Sequence, residues 1–293
     1  MKIFFVFALI FVNVMPAFWR AWDSTKDQPE SARVAAFKEQ VVAPNHIVYA
    51  KDEFANDLRS DDAIASYLER LRANEPALRA MSDRAAAEIP ADIQRVQQDL
   101  PGLDLSNISV YVLPSFGHFN GQTADLGGGT GVLFGVDGLL EFDGPNANLG
   151  VIVAHEFFHI YQHQTHPGFS TDGMALWQAV WVEGSAAYAS QQLTPGATIA
   201  QALGASLAAT TPADRKALAC YVQAHWDSRA GKDIDAMIDF SQHPPGLPPR
   251  GGYLIGYAAA QDMSGTSTVA QLGSAPMGEA EAALRTTVNG LCE

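Results

Sequence analysis

The segment Ala154-His155-Glu156-Phe157-Phe158-His159-Ile160 places a His-Glu-x-x-His pattern inside an apolar run. On an α-helix, side chains four apart share a face, so His155 and His159 can grip one metal ion. Glu156 then stands beside the pair, where its carboxylate can take a proton from a water that the ion activates. The alternative is a helix with two surface histidines held by hydrogen bonds.

A second acid completes the set. Glu183, in Trp177-Gln-Ala-Val-Trp-Val-Glu-Gly-Ser-Ala-Ala-Tyr188, is the one acid in an apolar, small-residue stretch. An unpaired buried carboxylate is costly and calls for a cation. An ion held by His155 and His159 would be that cation; the alternative is a solvent-facing glutamate. Gly184, Ala186 and Ala187 are expected to let this helix approach the histidine helix closely. Tyr253 and Tyr257, in Gly251-Gly-Tyr-Leu-Ile-Gly-Tyr257, share one helical face, which core packing also explains.

The elements around these residues follow from periodicity. Residues 31–42 keep helical spacing. Asp61 or Asp62 caps a helix carrying Ile64, Tyr67, Leu68 and Leu71, and Pro76 interrupts it. A helical period then runs through Leu78, Met81, Ile89, Ile93, Val96 and Leu100, with a break or kink at Pro90. Ile108–Leu113 is rich in β-branched residues and reads as a strand; Val132–Phe134 and Leu139–Phe142 are two more. The glycine run 127–131 lacks a following Lys-Ser/Thr, so it suits a hairpin or bulge better than a phosphate cradle. Asn146 or Asn148 caps the histidine helix. Helices are expected over 174–193, 198–207, 212–226 and 234–240, with a proline-rich loop at 243–250.

Composition bounds the class. The 293 residues, 47% hydrophobic and 17% charged, suffice for one large core. A net charge of −14 argues against nucleic acid or an anionic membrane surface as partner. Met1-Lys2 and the apolar run to Val12 match a secretory signal, with an uncleaved membrane anchor as the alternative, and a polar linker follows at 20–30. Either places the rest of the chain outside the cytoplasm, periplasmic or secreted. There Cys220 and Cys292 can pair or stay as free thiols.

Together, His155, Glu156, His159 and Glu183 in Trp-Val-Glu-Gly-Ser resemble the gluzincins, zinc metallopeptidases whose His-Glu-x-x-His helix is completed by a glutamate on the next helix. Gly252-Tyr253-Leu-Ile-Gly256-Tyr257 is similar to the Gly-Tyr-x-x-Gly-Tyr segment of oligopeptidase-type members and of small bacterial predicted zinc proteases. The resemblance covers roughly residues 105–260. It implies an α+β, mostly helical zincin-like domain with a small antiparallel sheet before the histidine helix. On this reading residues 1–22 are the signal or anchor and 23–293 one catalytic domain, helical over 23–103 and holding the metal-site core over 104–293. It further implies Zn2+ on His155, His159 and Glu183, Glu156 as general base, and Tyr253 or Tyr257 as donor to the oxyanion.

Three departures qualify the likeness. A metzincin pattern is excluded, because it needs Gly at 162 and His at 165 where this chain has Gln162 and Thr165. His163 is then a helix-end residue. Thermolysin-like members carry an acid where this chain has Ala187, so an outer partner for the zinc histidines must come from a residue the sequence does not name. His225 is a candidate histidine donor or a helix-end residue. The expected function is zinc-dependent hydrolysis of a peptide or protein, with an extended substrate adding to an edge strand near Val132–Phe134. Arg250 either reads a substrate carboxylate or forms a structural salt bridge. The alternatives are a zinc hydrolase of non-peptide bonds and an exported binding or assembly factor that keeps the metal without turnover.

Overall fold

The computed structural model describes residues 9–166 and 173–293. Its mostly helical chain divides into two compact units, Met1–Ala91 with Asp104–Leu149, and Asp92–Leu103 with Gly150–Glu293.

The first unit holds the sheet. Strands β1 (Ile10–Asn13), β2 (Ile108–Leu113), β3 (Gly121–Asp125) and β4 (Thr130–Gly135) lie in the order β1-β2-β4-β3. β1 and β4 run parallel to β2, and β3 runs antiparallel to β4. The sheet is therefore mixed, not antiparallel as expected. The glycine run does close a hairpin, with the Leu126 amide donating to the Gly129 carbonyl at 3.0 Å. β4 is flanked on both sides, so Val132–Phe134 offers no free edge for a substrate strand. Leu139–Phe142 is not a strand either: Val136–Gly138 and Leu139–Asp143 wind as helical turns. Asp137 fixes that turn. Its buried carboxylate accepts from the Ser115 amide (2.6 Å) and hydroxyl (3.0 Å), the Gly117 amide (2.7 Å) and the Tyr67 hydroxyl (3.0 Å).

Helices α1 (Met15–Thr25), α2 (Glu30–Phe37) and α3 (Asp61–Arg72) belong to the same unit, and α4 (Glu75–Asp99) begins in it. β1 and α1 occupy much of the stretch expected as leader or anchor, with Val14, Met15 and Phe18 buried; α1 also fills half of the expected linker. Among the described residues no helix is long and apolar enough to cross a membrane. The Phe18, Phe37 and Tyr67 rings meet edge-on across α1, α2 and α3. The cap of α3 is Ser60, whose side chain accepts from the Ala63 amide; Asp61 and Asp62 sit in its first turn, where acids favour the helix dipole. α4 continues through Pro90.

The second unit is helical: α5 (Leu149–Thr165), α6 (Leu176–Leu193), α7 (Pro212–Ala224), α8 (Gly231–Ile238), α9 (Gly251–Ser264) and α10 (Met277–Cys292). α5 is buried on most sides, with Val153, Ala154, Phe157 and Phe158 fully enclosed. α6 and α9 touch backbone to backbone. A Cβ on Gly184 would lie 2.3 Å from the Gly256 Cα, and one on Gly256 would lie 2.0 Å from the Val180 carbonyl oxygen. Gly184 thus serves the approach of α9, not of the histidine helix. Cys220 and Cys292 form a disulfide, Cα to Cα 4.9 Å, between α7 and α10. Closing a loop of that length contributes about 4 kcal/mol in the chain-entropy model.

Candidate metal centre

The His-Glu-x-x-His run lies on α5, and its two histidines open toward Glu183 on α6. Polar bonds anchor the start of α6. The amides of Leu176 and Trp177 donate to the carbonyls of Ser228 (2.8 Å) and Trp226 (3.2 Å), and Gln178 accepts from the Ala175 amide. Stacking of Trp177 on Trp226, 6.0 Å apart at 11°, clamps the same end.

Three ligand atoms converge. The Nε2 atoms of His155 and His159 are 3.0 Å apart, and Glu183 Oε2 lies 3.3 Å from the first and 3.4 Å from the second. Tetrahedral zinc with bonds of about 2.0–2.1 Å spaces its ligand atoms about 3.3 Å apart, so the triangle has the size of one face of that tetrahedron. The group could hold a metal ion. Its side chains are only 15%, 16% and 23% exposed, so the cluster is largely but not wholly withdrawn from solvent.

The electrostatics show what the cluster demands. Burial works to lower the His159 imidazole, but the charge of Glu183, its hydrogen bond and the charge of Glu156 outweigh that and lift it to about 9. Burial would raise Glu183, yet the charge of His159 and the bonds and charge of both imidazoles hold it well below the usual carboxylate range. A carboxylate and two imidazole nitrogens this close need positive charge among them, from protons or from a metal.

The partner of His159 is Gln162. Its Oε1 lies 3.3 Å from His159 Nδ1, and its Nε2 donates to the Ser185 hydroxyl at 2.9 Å. An Nδ1–H donating to Gln162 leaves the Nε2 lone pair aimed at the cluster centre. Gln162 and Ser185 are both buried. Sequence reasoning missed them: Gln162 entered only as a mismatch to another pattern, and Ser185 only within the Trp-Val-Glu-Gly-Ser segment. Their spacing, one turn beyond His159 and two residues beyond Glu183, was the available signal.

The other candidates separate. Glu156 is 6% exposed and its charge is felt at His159. The Tyr253 ring stacks on His155 at 6.0 Å and 10°. Burial pushes the Tyr253 phenol up, the charge of Arg250 pulls it down, and the charge and hydrogen bonding of Glu183 push it up again. It therefore stays protonated and able to donate. Tyr257 turns elsewhere: its hydroxyl donates to Gln191 and its ring meets Tyr188 edge-on. Gln191 is eight residues past Glu183, roughly 12 Å along the helix axis. His163 is exposed at the end of α5. His225 lies at the end of α7, its ring stacked on Tyr221 at 4.2 Å and Nδ1 bonded to the Tyr221 carbonyl. Arg250 forms no salt bridge among the described residues; its guanidinium lies over the rings of Tyr253 (3.7 Å) and Phe240 (4.5 Å).

Comparison with protein-family models, with curated proteins and with solved structures returns no match.

Proposed function

We propose that this protein is a zinc-dependent peptidase. The observation that carries the reading is the triangle of His155, His159 and Glu183 ligand atoms, with sides of 3.0, 3.3 and 3.4 Å. Its likeness to the gluzincin pattern and the burial of Glu156 beside it lend further support. A bound zinc ion supplies Lewis acidity toward the scissile carbonyl and lowers the pKa of water to about 7.

The protein's own groups do the rest. Glu156 accepts a proton from the attacking water and returns it to the leaving nitrogen as the C–N bond breaks. Tyr253 donates a hydrogen bond to the carbonyl oxygen as negative charge builds there. Gln162 holds His159 in the tautomer that presents Nε2. The Cys220–Cys292 bond supports an exported location, since such bonds persist in oxidising compartments.

The test is zinc content and peptide-library cleavage on the wild type and Glu156→Gln. One zinc per chain is expected in both, with cleavage by the wild type alone. Absence of zinc, or a Glu156→Gln protein that cleaves as fast as the wild type, overturns the assignment.

A further inference from the structure

Arg250 is a cation placed beside the proposed centre without a carboxylate of its own. Among the described residues no acid lies within ion-pair distance of it. Two aromatic rings hold it instead, Tyr253 at 3.7 Å and Phe240 at 4.5 Å from the guanidinium carbon. Stacking uses the faces of a guanidinium; part of its N–H edge hydrogen-bonds the Tyr253 hydroxyl, and the remaining donors can meet a planar, two-pronged acceptor. Its backbone is left-handed, φ 58°, a conformation that side-chain-bearing residues rarely adopt. Strain of this kind is tolerated where a side chain must be aimed. Phe240 is 50% exposed while Tyr253 is buried at 8%, so the guanidinium, itself partly exposed, bridges from the core to the surface.

The position narrows the role. The Tyr253 ring bridges the guanidinium, 3.7 Å away, and the His155 ring, 6.0 Å away, so cation and histidine lie within about 10 Å. One peptide residue spans about 3.8 Å. A salt-bridge contact at one end and a metal bond at the other take up the remainder, so the space admits at most one residue between scissile carbonyl and carboxylate. We infer that Arg250 reads the free C-terminal carboxylate of a peptide, which makes the proposed peptidase a carboxypeptidase.

This rests on the peptidase reading, and the test separates the two. Binding is measured on the zinc-loaded, full-length Glu156→Gln protein, with and without Arg250→Met. The probes are a blocked dipeptide with a free C-terminal carboxylate, its C-terminal amide, and an amidated peptide carrying an aspartate side chain. The free acid is expected to bind about tenfold to a hundredfold more tightly than the amide. That ratio collapses toward one in Arg250→Met and is partly kept in Arg250→Lys, which retains the charge but not the fork. Equal binding of acid and amide, an unchanged ratio in Arg250→Met, or preference for the aspartate probe over the free acid overturns the inference. A protein that prefers the acid while its wild-type form cleaves neither peptide keeps Arg250 as the carboxylate reader and overturns the peptidase assignment.

Discussion

Replacing Gln162 by Leu tests whether the histidine pair is aimed or merely present. The substitution keeps roughly the volume of a buried side chain but removes both polar contacts. His159 Nδ1 loses its acceptor at 3.3 Å, and the Ser185 hydroxyl loses its donor at 2.9 Å. Outer partners of metal-bound histidines are worth roughly 10–100-fold in affinity. A contact as long as 3.3 Å belongs at the low end, so zinc binding is expected to weaken about tenfold, or about 1.4 kcal/mol. The metal-free protein loses a buried hydrogen bond as well, about 1–2 kcal/mol of folding stability. Gln162→Glu keeps an acceptor for Nδ1 and is expected to bind zinc at least as well as the wild type. Zinc affinity is read by competition with a chromogenic chelator at fixed pH, and stability by urea titration of the metal-free form. A Gln162→Leu protein with wild-type zinc affinity would refute the positioning role.

Two further perturbations address the frame. In Gly184→Ala the new Cβ meets the Gly256 Cα at 2.3 Å, where ordinary contact begins near 3.4 Å. Backbone cannot yield, so α6 and α9 must part by about 1 Å, at about 1–3 kcal/mol. A lower melting temperature and weaker zinc binding are expected, and wild-type values of both would show that the contact is slack. The second is alkaline. Burial first, and then the charge of Asp137, raises the phenols of Tyr49 and Tyr67 well above their ordinary value. The folded chain therefore keeps protons that the unfolded chain sheds near pH 10, so this stability is complete below pH 10 and lost as pH rises above it. Each of the two groups contributes a slope of about 1.4 kcal/mol per pH unit, and Tyr67→Phe should lower the total by that amount. Urea midpoints measured between pH 9 and pH 11.5 check this, an unchanged slope counting against it.

The group that could hold a metal was legible because helical spacing fixes which side chains share a face, and because an acid among Trp, Val and Gly has few tolerable surroundings. Buried positions were legible for the same reason: Ile64, Leu68, Leu78, Met81, Ile89 and Val96 all lie inside. Long-range pairing was not. Gly121–Asp125 is polar and carries one β-branched residue, yet it is a strand because β4 offers it a hydrogen-bonding edge. Leu139–Phe142 has strand-like composition but winds as a helix, because Asp137 just before it is tied to the amides of Ser115 and Gly117. Gly184 was recognised as a point of close approach, but spacing along one helix does not say which neighbour approaches. The choice between Tyr253 and Tyr257 likewise depended on Gln191, whose side chain draws the second hydroxyl away.

The bond between Cys220 and Cys292 joins residues 72 apart and encloses everything between them in a covalent ring. Arg250 and Tyr253 fall inside that ring, whereas His155, His159 and Glu183 precede it. The chain is thus partitioned by its own cross-link: the residues that would grip an ion belong to the open part, and those that would greet a substrate belong to the closed one. Reducing conditions strike only the latter directly, so loss of substrate recognition and loss of metal need not coincide.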